Sequence, residues 1–358
     1  MKKVLIIDDS ALMRRLMSDI IKEDKGLEVS DMAKNGEEGL ALLDEGRHYD
    51  LILLDINMPK MNGVVFLEHI LERGLTTRVI IVSSIASRST HETIRALELG
   101  AFDFIKKPGS SSGKTTDEFK YQLLSKCYLA IGLERGSEKV DWKNYLGKNS
   151  VSNTFVSKVD KKAKGTLVFI ACSTGGPQSL QQVIPKFSKD FPCPILVVQH
   201  MPAGFTRSLA GRLNEMSSLT VMETSDGQKV EPGHVYLAKG GHQSYLVQDN
   251  AFGHEIRVTT DPPRNALRPC ADVLLESLAE TGYRRIICAV LTGMGDDGTR
   301  GLAYLRQYKE ITVIGQDEKT SVVYGMPKAA KMAGLVDEVV ALQDVAGAIM
   351  DKVKEIPV

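Results

Sequence analysis

The chain lacks any long hydrophobic run. No stretch of about 18 or more apolar residues occurs, so no segment is expected to cross a membrane as a helix. The N-terminus, MKKVLIIDDS, offers a short apolar run before two aspartates, too little for the core of a signal peptide. Cysteine is scarce. The five residues Cys127, Cys172, Cys193, Cys270 and Cys288 are odd in number and scattered, and no Cys-x-x-Cys pair exists. This excludes a disulfide framework or zinc site and fits a reducing, cytoplasmic setting. There is no excess of either charge: Lys+Arg and Asp+Glu stand at 45 each. A dedicated nucleic-acid binder normally shows a basic surplus. Internal repeats are absent too. In 358 residues, 43% hydrophobic and 25% charged, what remains is an ordinary globular composition with room for two or three domains.

Residues 1–108 alternate short apolar runs with helical patterns. Val4–Ile7, Leu51–Leu54 and Val79–Val82 have strand length and no polar interruption, as in central strands covered on both faces. Leu12, Leu16 and Ile20 recur every four residues, which predicts the buried stripe of the first helix. The repeated β-α beat implies a doubly wound α/β domain with a parallel sheet. From Gly109 the texture becomes polar and turn-rich (GSSSGKTT), then helical over 117–133, then charged up to KVDKKAKG. Residues 109–164 are therefore expected to link two domains and to carry one helix.

A second α/β alternation fills 165–358. Strands are predicted at Leu167–Ala171, Ile195–Val198, Val235–Leu237, Ile286–Leu291 and Thr312–Ile314. Helices are predicted near 178–187, 205–217, 271–281, 298–307, 325–333 and 343–354, with a hairpin inside 239–265. A mainly parallel sheet follows.

Three acids stand just past strand ends in the first domain: Asp8 and Asp9 after the first run, Asp55 after Leu51–Leu54. Ligands of open α/β sheets bind at the carboxyl ends of strands. Three clustered carboxylates call for a cation, and an all-oxygen set suits Mg²⁺. Lys107, before Pro108, and Ser83, at the end of the Val79–Val82 run, fall on the same edge. The bland alternative is that Asp8 and Asp9 only cap the first helix. Against it, residues 1–108 resemble a two-component receiver domain. The likeness lies in the Asp8-Asp9 pair, LLDINMPKMNG around Asp55, Ser83 and Lys107-Pro108. The resemblance implies a flavodoxin-like fold and phosphorylation of Asp55 by a histidine kinase. It also implies Mg²⁺ held by Asp9, Asp55 and the Asn57 carbonyl with Asp8 behind, and a switch of Ser83, Phe104 and Lys107.

The second half holds LVFIACSTGGP, a strand running into Ser173 and a glycine-paired turn before a helix. Such a turn pushes a serine out at the sheet edge, near the positive end of the next helix. An N-cap serine or a phosphate cradle would read similarly. However, the turn matches neither Gly-x-Gly-x-x-Gly nor Gly-x-x-x-x-Gly-Lys-Ser/Thr. A second strand ends in Gln199-His200-Met201-Pro202, and a third runs into Thr292-Gly293-Met294-Gly295-Asp296-Asp297-Gly298. An imidazole exchanges protons near neutral pH, and a carboxylate fixes its tautomer and stabilises its cation. Serine, histidine and acid at three strand ends of one sheet suggest acyl transfer. The order Ser, His, Asp and the missing Gly-x-Ser-x-Gly elbow separate this chain from the α/β-hydrolases.

STGGP, QHMP, LTGMGDDG and GQDEKTSVVYGMPKAA together resemble the catalytic domain of the chemotaxis protein-glutamate methylesterase/glutamine deamidase family (CheB-type). The resemblance implies Ser173 as nucleophile, His200 as base and Asp297 as its orienting acid, with Asp296 at a variable position. It adds the Met294 backbone N–H as oxyanion donor and Thr174 as a contact of the histidine. No cofactor is implied for hydrolysis. The implied substrates are methyl-accepting chemotaxis receptors. The receiver is expected to cover the Ser173 cleft until Asp55 is phosphorylated. The chain departs from the family at Ala171-Cys172, at Leu267 where a histidine is common, and at Cys270-Ala271 in place of Ser-Val. These departures bear on substrate contacts and keep open a receiver-coupled serine hydrolase acting on a different ester or amide. A transcription factor would need a basic recognition helix, and the second half offers none.

Overall fold

The computed structural model describes residues 1–84, 87–109, 113–133, 165–249 and 253–354. They fall into two units, Met1–Glu138 and Lys139–Val358.

The first unit runs β1 (Lys2–Ile7), α1 (Ala11–Lys22), β2 (Leu27–Ala33), α2 (Gly36–Asp44), β3 (Leu51–Asp55), α3 (Gly63–Glu72), β4 (Arg78–Ser83), α4 (Ser87–Glu98), β5 (Asp103–Lys106) and α5 (Gly113–Ala130). The strand order is β2-β1-β3-β4-β5, parallel throughout. This is the doubly wound sheet that the alternation predicts. The central apolar runs are fully buried because helices cover both faces. Each such Leu or Ile contributes about 1.5–3 kcal/mol of burial.

Three features differ from expectation. The buried residues of α1 are Met17, Ser18, Ile20 and Ile21, whereas Leu12 is 77% exposed. Ser10 caps this helix, its hydroxyl accepting from Met13 N. Second, β2 is half exposed and polar, so no continuous apolar run announces it. Third, the helix expected within the linker packs on the first sheet. Phe119, Leu123, Leu124 and Cys127 of α5 are buried, so the first unit extends well past residue 108. The rest of the expected linker, 134–164, lies outside the described residues.

The second unit is built on β6 (Thr166–Cys172), α6 (Gly176–Val183), β7 (Ile195–Gln199), α7 (Phe205–Met216), β8 (Thr220–Glu223), β9 (Gln228–Lys229), β10 (His234–Leu237), β11 (Gln243–Asp249) and β12 (Gly253–Thr259). It continues through α8 (Ala271–Ser277), β13 (Arg285–Val290), α9 (Thr299–Leu305), β14 (Glu310–Gln316), α10 (Met326–Met332), β15 (Glu338–Val340) and α11 (Val345–Lys354). Seven strands form one parallel sheet in the order β15-β14-β13-β6-β7-β10-β8. The predicted hairpin is β11–β12, joined by β9 in a small antiparallel sheet. From β6 the chain proceeds to β7 on one side and later to β13 on the other. The edge beyond β6 is therefore a topological switch point, where α/β sheets bind ligands.

Candidate active site

Ser173 follows β6 and His200 follows β7. In the ladder between these strands Cys172 pairs with Gln199, so the next residues of each strand are neighbours. Adjacent strands lie about 4.8 Å apart. His200 N donates to Cys172 O (3.2 Å), and Ser173 N donates to Thr292 O (3.0 Å). The backbone around Ser173 is thus tied to the strands on both sides. The turn after it is tight: Gly176 N donates to Ser173 O at 2.7 Å. Gly175 adopts φ +79°, and a Cβ there would stand 2.6 Å from Val322 Cβ, so only glycine fits.

Asp297 arrives in the loop after β13. Its Oδ2 lies 2.7 Å from His200 Nε2. It also accepts from Ala271 N (2.6 Å), Asp272 N (3.0 Å), Gly298 N (3.0 Å) and the Cys270 thiol (3.1 Å). Burial alone would raise its pKa. The His200 hydrogen bond and charge, with the Ala271 and Asp272 N–H groups, outweigh burial and hold the carboxyl well below the usual carboxylate range. Asp296, by contrast, is only half-buried and pairs loosely with Arg300 (3.8 Å). With Nε2 engaged by the acid, Nδ1 is the ring nitrogen left for a proton from serine.

Of the expected row of three, the His–Asp half is closed. Among the described residues the half-buried Ser173 hydroxyl makes no hydrogen bond, so the Ser–His half is open. Catalytic contacts of this kind commonly tighten only when substrate is bound. Met294 lies in the same loop with its side chain 42% exposed, and among the described residues its N–H meets no acceptor. Gly293 O takes both Gly325 N (3.0 Å) and Met326 N (2.8 Å), which pins the loop. Thr174 is buried, and its carbonyl accepts from Thr292 Oγ1 (2.9 Å).

Several supporting residues carried no role in the sequence reading. Buried Gln199 donates through Nε2 to Ser173 O (3.0 Å) and His200 O (3.3 Å), joining the backbones of the two residues. Gln316 accepts from Thr292 N (2.8 Å), steadying the third loop. A buried glutamine at the end of an apolar strand was the available signal. The departures at Cys270 and Ala271 meet Asp297 itself rather than open solvent. Cys172 is fully buried with its thiol directed to Gln199 Oε1 (3.1 Å) and Val198 O (3.8 Å), and burial pushes its ionisation far up. It is no rival nucleophile.

In the first unit, ligand oxygens of Asp8, Asp9 and Asp55 lie within 4.8 Å of one another. Lys107 Nζ bridges Asp8 and Asp55 at 2.8 Å each. Burial raises the Asp55 carboxyl to about 6 although Lys107 pulls it down. Asp8 Oδ1 accepts from Ser10 N, and the cap of α1 is Ser10, so the aspartates are not there for capping. An all-oxygen cluster of this size fits Mg²⁺. Ser83 is buried and accepts from Thr93 Oγ1 (2.9 Å). Phe104 is buried beneath Lys126, whose Nζ lies 5.3 Å from the ring centre. Asn57 is exposed, its amide donating to Ser89 Oγ.

No helix among the described residues is long and apolar enough to cross a membrane. The pattern of the response regulator receiver domain matches residues 4–113, and that of the CheB methylesterase matches residues 168–349. The chain is 40% identical to protein-glutamate methylesterase/protein-glutamine glutaminase 1 of Syntrophomonas wolfei, over 98% of each chain. It is 39% identical to the Bacillus subtilis protein-glutamate methylesterase/protein-glutamine glutaminase, over 99% of each. The crystal structure of the Thermotoga maritima CheB methylesterase catalytic domain superposes with a TM-score of 0.51 at 42% identity, covering 53% of this chain and 99% of that one. With a receiver unit N-terminal in sequence to a unit whose parallel sheet carries Ser173, His200 and Asp297 on one edge, and relatives matching over nearly the whole length, the chain belongs to the CheB methylesterase family.

Proposed function

We propose that this chain hydrolyses glutamate methyl esters on chemotaxis receptors, deamidates glutamines with the same groups, and is activated when a histidine kinase phosphorylates Asp55. The observation that carries the hydrolytic reading is the 2.7 Å contact of His200 Nε2 with the ionised Asp297, set beside Ser173 at the switch point.

Ser173 Oγ attacks the γ-carbonyl while His200 Nδ1 takes its proton. Asp297, ionised and buried, holds the ring and stabilises the imidazolium. The Met294 N–H, which meets no acceptor among the described residues, would receive the oxyanion. The proton passes from His200 to the departing methoxide, and methanol leaves. Water then attacks the glutamyl ester of Ser173, His200 again acting as base, and a glutamate side chain is freed. With glutamine the leaving group is ammonia.

Asp9, Asp55 and the Asn57 carbonyl would hold Mg²⁺, with Asp8 behind. Bound there, it neutralises charge on the incoming phosphoryl oxygens. Phosphorylation adds about −1.5 to −2 charges at Asp55. Lys107 is already shared between Asp8 and Asp55 and is the cation that new charge would draw. Ser83 and Phe104 would follow as switch residues.

Methanol release from methylated receptor membranes tests the whole reading. Ser173→Ala is expected to abolish release, and release at the parent rate would exclude the assignment. A small-molecule phosphodonor with Mg²⁺ is expected to stimulate the parent but not Asp55→Asn. Equal stimulation of both would exclude the control.

A further inference from the structure

The starts of α8 and α9 cap each other. Asp297, just before α9, accepts from Ala271 N and Asp272 N at the head of α8. Asp272 returns the favour with Oδ1, accepting from Gly298 N (2.9 Å) and Gly301 N (2.6 Å) at the head of α9. The approach depends on Gly301, where a Cβ would stand 2.8 Å from Leu275 Cβ and 2.9 Å from Asp272 Cα. Both carboxylates are buried, and ligand atoms of Cys270, Asp272 and Asp297 lie within 4.8 Å of one another. This is not a metal cage, because both Asp297 oxygens and Asp272 Oδ1 are already met by N–H and S–H donors.

A buried acid this close to an ionised one is costly. Asparagine or serine would cap the same N–H groups without a second negative charge. The presence of an acid therefore points to its charge. We propose that Asp272 is a positioning residue of the esterase: it fixes the Asp297 loop through Gly298 and Gly301, and its negative charge, relayed through Asp297, stabilises the His200 imidazolium formed as Ser173 gives up its proton. The inference rests on the triad reading above. Asp272 faces Asp297 from the loop before α9, the Cys270 thiol and Glu276 from its own segment, and Arg264, which is paired with Glu276 at 2.6 Å. Burial and then the charge of Asp297 raise its carboxyl to about 7, against the pull of Gly301 N–H and Arg264. Below that value Asp272 is neutral, and its removal leaves the charge at the site unchanged. Above it, the charge is present and its removal matters.

The test is Asp272→Asn in the full chain, measuring methanol release from methylated receptor membranes between about pH 5.5 and about pH 9. The expected ratio of parent to variant kcat is within about twofold at the acid end. It should grow to about 5- to 10-fold at the alkaline end with KM unchanged, the effect of one charge moving an ionisation by up to about one pKa unit. Asp272→Ser, a smaller neutral cap, should repeat the pattern. In thermal melts above about pH 8, Asp272→Asn should be at least as stable as the parent, since it removes a buried charge. A ratio constant across pH, or a loss confined to KM, or a loss that tracks a lowered melting temperature, would overturn the proposal. Ser173→Ala run alongside separates the two readings. If it still releases methanol, the triad falls. If it is inactive while the Asp272→Asn ratio stays flat, only the role of Asp272 falls.

Discussion

Gly293→Ala should disable the enzyme without weakening its hold on substrate. A Cβ at residue 293 would stand 2.4 Å from Met326 Sδ, 2.8 Å from Ser173 Cβ and 3.0 Å from Ser173 N. Carbon atoms rest at about 3.5–4.0 Å, so at least one neighbour must retreat by roughly 0.7–1 Å. Met326 is fully buried and has no solvent to swing into. Ser173 is fixed by Thr292 O on its N–H and by Gly176 N and Gln199 Nε2 on its carbonyl. Strain on this scale costs about 1–3 kcal/mol. A nucleophile displaced by about 1 Å loses about 10²-fold in rate. The expected result is a matching loss of stability by urea unfolding and a kcat lowered about 10²-fold. KM should stay near parental. Gly334→Ala is the control: it imposes left-handed strain (φ +70°) that Gly293→Ala does not, yet nothing lies within 4 Å of its Cβ and so nothing is crowded. It should cost about 1 kcal/mol and leave kcat intact. A parental kcat in Gly293→Ala, or an equal kcat loss in both variants, would refute the reasoning.

Asp297→Asn should lower kcat by about 10⁴-fold by favouring the wrong histidine tautomer. Because the folded-state pKa of Asp297 is depressed, its contribution to stability is full above the ordinary carboxylate range and fades as pH falls below about 4. Denaturant titrations should show the gap between parent and variant closing on acidification. A gap that widened would contradict the assigned ionisation. For Asp55 the sign is opposite. Its carboxyl is raised to about 6, so burying its charge costs stability as pH climbs through that value in metal-free protein. Asp55→Asn should therefore gain on the parent above about pH 6 and match it below about pH 4. Lys107→Ala should move the Asp55 titration further up, as read from its carboxyl ¹³C shift. A downward move would remove Lys107 as the stabilising cation.

Much of this was legible because parallel sheets write themselves plainly. Strands buried on both faces give unbroken apolar runs such as Leu51–Leu54 and Ile286–Leu291, and whatever follows them lies at one edge. That rule brings Ser173, His200 and the loop of Asp296 and Asp297 to one edge, and the family resemblance is what selects Asp297 within that loop. Edge strands escaped it: Leu27–Ala33, Thr220–Glu223 and Glu338–Val340 are short or half exposed and carry no such run. The helix Gly113–Ala130 was visible but misplaced in the linker, because sequence periodicity reports an apolar face and not the sheet it covers. Hydrogen-bond supports were least legible. Gln199, Asp272 and Gln316 act through backbone groups distant in sequence, and no local pattern encodes those partners.

Three buried aspartates show why burial alone does not decide an acid's role. Desolvation is the first influence on Asp55, Asp272 and Asp297 alike, and it favours the neutral form in each. Their neighbours then separate them. Asp297 gathers three backbone N–H groups, a thiol and an imidazole, and stays charged. That charge is what the imidazolium of an acyl transfer needs. Asp55 has Lys107, but shares it with Asp8, whose own charge pushes back, so its carboxyl stays near the midpoint. Under the proposed function, a carboxylate so weakly held would be available to attack phosphorus once added positive charge favours its ionised form. Asp272 has two N–H donors yet sits beside Asp297, and the like charge leaves it poised near neutrality. The count and sign of the donors, more than depth, hold Asp297 ionised and leave Asp55 and Asp272 nearer neutrality.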